Sequence, residues 1–204
     1  MGRSAPIPSW KSAQMAMVKL REDKNWRDLL IFAIGCGTAF RVSDYHTLKW
    51  SQLENMCSLT IAEQKTAHLR KSARTVHLGD EIIAIIKECK EHMNPGTIDR
   101  FVFRPRRSKT SMSAPITDTG INVALRIVQK RYPECGLPEG ISSHSLRKCF
   151  GLHGYEMMGK TDYALEFMSM LFEHRDTRTT RVYLGLDKDA AKKYYQSLKF
   201  DLGI

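Results

Sequence analysis

His144 and Arg147 stand three residues apart, just inside an expected helix start. At that spacing they share one helix face about a turn apart. His174 comes later, and nine residues after it stands Tyr183 in the run Arg-Val-Tyr-Leu. Two imidazoles, a guanidinium and a phenol are together the groups needed to grip a phosphodiester and attack it without a metal. A phenol has a reference pKa of about 10, so only about one part in a thousand is phenolate near neutral pH. A nucleophilic Tyr183 therefore needs positive charge and a proton acceptor close by. The phosphodiester is itself anionic and gains charge in the transition state. Arginine answers this with a permanent charge and a planar fork that matches two phosphate oxygens. Arg41 and Arg147 are the candidates for such a clamp. Taken alone, Arg41 also reads as a surface ion pair with Asp44. The histidines His46, His68, His77, His92 and His153 carry no such pattern and are read as ordinary core or surface groups.

Helices must position these residues. Ser9 caps a helix from Trp10 to about Glu22 with Met15, Val18 and Leu20 among its apolar positions. Asn25 caps a second, Trp26 to Ile34, apolar enough to be central core and stopped by Gly35-Cys-Gly37. Ser43 caps a short helix through Lys49, with Trp50 packed beneath it. Leu59–Ile61 and Arg74–Leu78 have strand composition. The polar turn Gln64–Ser72 between them makes a β-hairpin with a basic tip carrying Lys65, Arg70 and Lys71. Asp80 caps Glu81–His92, with Ile82, Ile83, Ile85 and Ile86 inward, and Asn94-Pro-Gly96 ends it. Phe101–Phe103 reads as a short strand, Arg104–Ser113 as a basic loop, and Thr117 or Asp118 starts a helix through Tyr132. Ile141–Gly185 then reads as helices near Ser143–Met158, Tyr163–Glu173 and Thr177–Tyr183, followed by Lys188–Leu198 with Tyr194 and Tyr195. The expected fold class is mainly α with a small antiparallel β-hairpin or sheet (α+β).

Composition sets the outer bounds. The 204 residues suit one domain or two small ones. Thirty-two Lys and Arg against 22 Asp and Glu give a net charge of +10, an excess that usually serves a polyanion, most often nucleic acid. No apolar run reaches membrane-spanning length, and the first ten residues lack the apolar core of a signal peptide. A cytoplasmic protein with no membrane partner is expected. The cysteines Cys36, Cys57, Cys89, Cys135 and Cys149 are odd in number and never spaced C-x-x-C, which argues for reduced thiols without a disulfide frame or zinc knuckle. No carboxylate cluster suggests a two-metal site, so neither metal nor cofactor is expected.

The runs His144-Ser-Leu-Arg147, Leu171-Phe-Glu-His174 and Thr179-Thr-Arg-Val-Tyr183 resemble the tyrosine recombinase (phage integrase) family. Phe40-Arg41-Val-Ser-Asp44 with Leu48-Lys-Trp50 resembles its first arginine motif, and Gln64-Lys65-Thr66 its lysine-bearing hairpin. The resemblance runs from about Trp10 to Tyr195. It implies a DNA breaking-rejoining catalytic domain over residues 10–185. Residues 1–9 would be a tail or linker remnant, and residues 186–204 a C-terminal helix and tail that docks on a neighbouring protomer or folds back on its own domain. The chain starts almost directly at the catalytic domain, as expected of a naturally small member or an excised fragment.

The resemblance also implies roles. Tyr183 would attack a DNA phosphate, with Tyr194 and Tyr195 as its competitors. His144 would bind or deprotonate at the phosphate, and His174 would hydrogen-bond a non-bridging oxygen. Lys65 would protonate the departing 5′ oxygen, with Lys71 on the same turn as its rival. Asp44 would orient a clamp residue or serve as a helix N-terminal carboxylate. Apart from the resemblance, Arg104, Arg106, Arg107 and Lys109 form the densest basic run, and with Arg70 and Lys71 at the hairpin tip they are expected to contact DNA phosphates, which position a duplex without reading its sequence. Partners would be double-stranded DNA at a specific site and three further copies in a homotetramer assembled on it. The alternatives are a type IB topoisomerase-like relaxing enzyme and a non-catalytic DNA-binding accessory protein. One departure is Glu173, where the family usually has glycine; a carboxylate there raises the His174 pKa or repels nearby phosphate.

Overall fold

Residues 4–54, 57–62, 73–93, 96, 100–105 and 114–197 are described by a computed structural model. The chain divides into two compact units, Met1–Phe150 and Gly151–Ile204, and the division falls inside a helix, Ser143–Met157. The expected α+β class is what is found: among the described residues, helices with one two-stranded antiparallel sheet.

In the first unit the buried helix α2 (Trp26–Gly37) is the centre. Every residue from Asp28 to Cys36 is buried, as befits a helix that is apolar nearly all round. Asp28 is the one carboxylate in that run. Its charge is met by Arg27, whose Nε lies 2.7 Å away, and by the Asn25 amide at 2.9 Å. That is why Asn25, expected as a capping side chain, makes no cap bond. Gly35 and Gly37, expected to stop the helix, lie inside it. The helix stops at Thr38, whose hydroxyl and N–H both return to the Ile34 carbonyl. The glycines admit neighbours instead: a Cβ on Gly35 would fall 2.5 Å from Leu146 Cδ1, and one on Gly37 would collide with Ile82.

Helix α1 (Trp10–Glu22) starts where Ser9 Oγ accepts the Ser12 N–H at 3.1 Å. Its buried face is Ala13, Ala16 and Leu20, whereas the apolar Met15 and Val18 are 37% and 53% exposed. Small side chains are what a helix lying against α2 can place at the contact. Ile7, in the segment expected to be a tail, is 1% exposed and belongs to the core. After α2 comes α3 (Val42–Tyr45), shorter than the helix expected through Lys49, and then a 3-10 turn, Trp50–Leu53, with Trp50 buried. The strands β1 (Ser58–Ala62) and β2 (Ala73–His77) pair antiparallel from Ser58↔His77 to Ala62↔Ala73. Helix α4 (Asp80–Met93) buries Ile86 and Cys89, with Ile82, Ile83 and Ile85 packed partly against the core. Phe101–Phe103 is not a strand: Phe101 makes one bridge to Lys49, and Val102 and Phe103 are buried. Helix α5 (Asp118–Arg131) is capped by Thr117, which accepts the Gly120 N–H at 3.0 Å. It precedes α6 (Ser143–Met157).

The second unit holds the last turns of α6 with α7 (Asp162–Phe172), α8 (Thr177–Leu184) and α9 (Leu186–Ser197). Gly151 and Gly154 of α6 make room for it. A Cβ at Gly151 would lie 2.5 Å from Phe172 Cζ and 2.8 Å from Leu184 Cδ2, and one at Gly154 would lie 2.7 Å from Met168 Cε. Among the described residues no helix is long and apolar enough to cross a membrane.

Candidate active site

Within the first unit the start of α6 carries His144 and Arg147. The first turn of any helix leaves backbone N–H groups without helical partners. Here the Ser143 N–H donates to Asn122 Oδ1 of α5 at 2.8 Å, and the Ser142 N–H donates to Ser145 Oγ at 3.2 Å. One residue before Arg147, Leu146 is buried against Gly35 of α2. Two residues after it stands Cys149, buried beside Cys36, and this neighbour together with burial pushes the Cys36 thiol well up. Helix α6 is thus tied to both α5 and α2 around these two side chains. His144 is exposed, while Arg147 is only 4% exposed. A charge in so low a dielectric acts more strongly on an anion than it would in water.

Arg41 stands just before α3, and its main chain is fixed at both ends. Its N–H donates to Asp44 Oδ2 at 2.9 Å and its carbonyl accepts the Asp44 N–H at 2.9 Å. Ser43 Oγ donates to the other Asp44 oxygen at 3.3 Å. Asp44 is buried and closes the first turn of α3 as a helix N-terminal carboxylate, bonded to the main chain of Arg41. Arg104 is half-buried, and its carbonyl accepts from Arg27 Nη1 at 3.2 Å. Lys65, Arg70, Lys71, Arg106, Arg107 and Lys109 lie outside the described residues.

Within the second unit His174 and Tyr183 come together. Helix α7 ends at Phe172. Glu173 then turns the chain in the left-handed conformation, φ 54° and ψ 42°, with its N–H returning to Met170 and that of His174 to the Ser169 carbonyl at 3.0 Å. This is the helix C-terminal turn that glycine fits best. Asp176 next caps α8: its Oδ1 accepts both the hydroxyl and the N–H of Thr179 at 2.6 Å. Those bonds, with Arg175 beside it, hold the Asp176 carboxyl down at about 2. The caps therefore set the angle between α7 and α8. The Tyr183 ring meets the His174 ring at 5.3 Å and 76°, and meets Phe172 at 5.3 Å and 73°, both edge-to-face.

Two residues that the motif reading did not single out hold the imidazole. Thr180 Oγ1 lies 2.8 Å from His174 Nδ1 and 2.6 Å from Ser169 Oγ, and Ser169 Oγ donates to the Asp176 carbonyl at 3.4 Å. Thr180 is fully buried, at 0% exposure. A signal for it exists in the sequence: it stands three before Tyr183, so both face the same side of α8. Of the competing tyrosines, Tyr195 is exposed on α9 and the side chain of Tyr194 lies outside the described residues.

Comparison with known proteins gives a consistent answer. The model of the phage integrase family matches residues 12–190. A protein described as probable integrase/recombinase YoeC, from Bacillus subtilis (strain 168), is 30% identical over 174 residues, covering 85% of this chain and 86% of its own. Tyrosine recombinase XerC of Proteus mirabilis is 26% identical over 191 residues, 91% of this chain but 56% of that protein, so the chain spans little more than half of it. Among solved structures, the XerA recombinase aligns with TM-score 0.68 at 18% identity over 98% of this chain and 68% of its own. The XerH site-specific recombinase bound to its palindromic difH substrate, in a post-cleavage complex, aligns with TM-score 0.64 at 18% identity over 94% and 53%. The chain belongs to the phage integrase family.

Proposed function

We propose that this member of the phage integrase family is the catalytic part of a site-specific DNA recombinase that works through Tyr183. The phenol oxygen attacks a backbone phosphate, forms a 3′-phosphotyrosyl bond and releases a 5′ hydroxyl. A hydroxyl from another strand then attacks that link and rejoins the ends. The bond energy stays in the protein–DNA link, so no ATP is consumed. Arg41 and Arg147 clamp the phosphate and supply the positive charge that a metal would otherwise bring. His144 acts at the phosphate, His174 bonds a non-bridging oxygen, and Lys65 protonates the leaving oxygen. Arg70, Lys71, Arg104, Arg106, Arg107 and Lys109 hold the duplex by its phosphates. Four copies assemble on two DNA sites in the cytoplasm, with residues 186–204 docking between neighbouring protomers.

The observation that carries this reading is the edge-to-face pairing of Tyr183 with His174 at 5.3 Å, in a chain whose relatives are integrases and recombinases. Those relatives favour it over a topoisomerase-like relaxing enzyme, and a purely DNA-binding protein has no need of a tyrosine held in this way. The test is a nicked suicide duplex incubated with the protein and resolved on a denaturing gel. A covalent adduct is expected, and Tyr183→Phe is expected to abolish it. An adduct that survives Tyr183→Phe moves the nucleophile to Tyr194 or Tyr195. Failure to form an adduct across a genomic library of sites refutes catalysis and leaves a binding protein.

A further inference from the structure

The start of α6 is capped differently from the helices around it. In α1, α5, α7 and α8 the residue just before the first turn (Ser9, Thr117, Thr161 and Asp176 in that order) accepts a first-turn N–H with its own side chain. Ser142 holds that place before α6 and has the right hydroxyl, yet its Oγ is buried with no hydrogen-bond partner among the described residues. Its main chain is closed another way. The Ser142 N–H donates to Ser145 Oγ at 3.2 Å, and the Ser142 carbonyl accepts the Ser145 N–H at 2.8 Å. The next donor, the Ser143 N–H, leaves the helix altogether and reaches Asn122 Oδ1 of α5 at 2.8 Å. That bond settles which way the Asn122 amide points, because an N–H needs an acceptor and the amide nitrogen is not one. Ser143 is only 6% exposed, so water is a poor substitute for the Asn122 oxygen.

We propose that Asn122 is a positioning residue for the reaction: its Oδ1 holds the first turn of α6 in place and so sets where His144 stands. The proposal rests on the role given to His144 at the phosphate. A cap drawn from a helix's own N-terminus travels with that helix and fixes nothing outside it. A cap drawn from α5 ties the turn to a second element. The tie falls on the residue before His144, and neighbouring Cα atoms are only about 3.8 Å apart. A second hold lies further along. Leu146, one residue before Arg147, is fully buried and lies against Gly35 of α2. The two holds divide the work: Asn122 governs the His144 end of the turn, and the α2 contact governs the Arg147 end. Without the Asn122 bond the turn pivots about Leu146, and His144 moves further than Arg147. The grip on the phosphate is then kept while the attack slows, since a misplacement of about 1 Å can cost as much as about a hundredfold in rate. Asn122 touches no reacting atom; it acts through His144.

The test compares Asn122→Leu, which keeps the size and removes the acceptor, with Asn122→Asp, which keeps the acceptor and adds a charge. Amide hydrogen exchange on the whole protein reads the tie directly. The Ser143 N–H is expected to exchange about tenfold faster in Asn122→Leu and at about the wild-type rate in Asn122→Asp. Adduct formation on the nicked duplex, followed over a range of duplex concentrations, separates grip from attack. Asn122→Leu is expected to slow the rate at saturating duplex about tenfold, with the half-saturating concentration within about twofold of wild type. Asn122→Asp is expected to restore the saturating rate, its extra charge showing only as weaker duplex binding. Should Asn122→Leu fail to fold, Asn122→Ala takes its place in the same comparisons. A variant without the acceptor that reacts as fast as wild type at saturating duplex overturns the proposal. So does unchanged exchange at Ser143 in that variant, or an Asn122→Asp protein as slow as Asn122→Leu at saturation. If wild type forms no adduct at any site, the catalytic reading fails on its own, and exchange at Ser143 still decides whether Asn122 holds α6.

Discussion

Glu173 holds the left-handed turn between α7 and His174, at φ 54° and ψ 42°, and its replacement measures what that turn costs. An L-residue in this region loses about 1–2 kcal/mol to the approach of Cβ to its own carbonyl. Glycine escapes that penalty but gives back about 0.5–1 kcal/mol, because its unfolded chain is freer. The difference leaves glycine ahead by about 0.5–1 kcal/mol. Glu173→Gly alone would mix this with the loss of the carboxylate, so Glu173→Ala is the reference: both variants lack the charge, and only the alanine keeps the strain. In a chain of this length about 1 kcal/mol moves the melting temperature by roughly 2–4 °C, so the glycine variant should melt about 1–4 °C above the alanine variant. Amide hydrogen exchange gives a local reading. The His174 N–H, bonded to the Ser169 carbonyl at 3.0 Å, should exchange about two- to fivefold more slowly in the glycine variant. An alanine variant as stable as the glycine variant, with equal exchange at His174, would refute the claim that strain resides at this position.

Two further outcomes follow from the same corner of the molecule. The Asp176 carboxyl is held at about 2 by the Thr179 hydroxyl and N–H and by Arg175, below the usual aspartate value. Its contribution to folding is therefore complete above that usual value and drains away as pH falls toward about 2; acid titration followed by the helix signal should show a shallower loss over that window for Asp176→Ala than for wild type. Gly151→Ala places a methyl 2.5 Å from the tip of Phe172, a ring already set against His174 and Tyr183. Overpacking of this kind costs about 1–3 kcal/mol, which exceeds the helix propensity alanine gains, so urea unfolding should show lower stability and the nicked-duplex assay a slower adduct.

How much of this was legible in the sequence depended on whether a residue's role is set by its own chemistry or by what lies against it. Ser9 and Thr117 announce helix starts because a short hydroxyl side chain can reach its own backbone, and both do so. Tyr183, His174, Arg147 and Arg41 stood out because few other side chains can do what a phosphodiester attack demands. The faces of α1 did not: Met15 and Val18 are better hydrophobes than Ala13 and Ala16, and only the closeness of α2 makes the alanines the buried pair. Gly35 and Gly37 were read as a stop, and glycine does stop helices. The same missing Cβ also lets a neighbour in, and nothing in Gly-Cys-Gly says which; the answer lies 111 residues away for Gly35, in Leu146, and 45 residues away for Gly37, in Ile82. Thr180 is the sharper case. Beside a tyrosine motif it looks like one more helical threonine, and its meaning depends on a serine eleven residues back and an imidazole six residues back reaching the same oxygen. The candidate nucleophile and the histidine could be named from their own types, but the hydroxyl that meets the imidazole had to be found in the packing of α7 on α8.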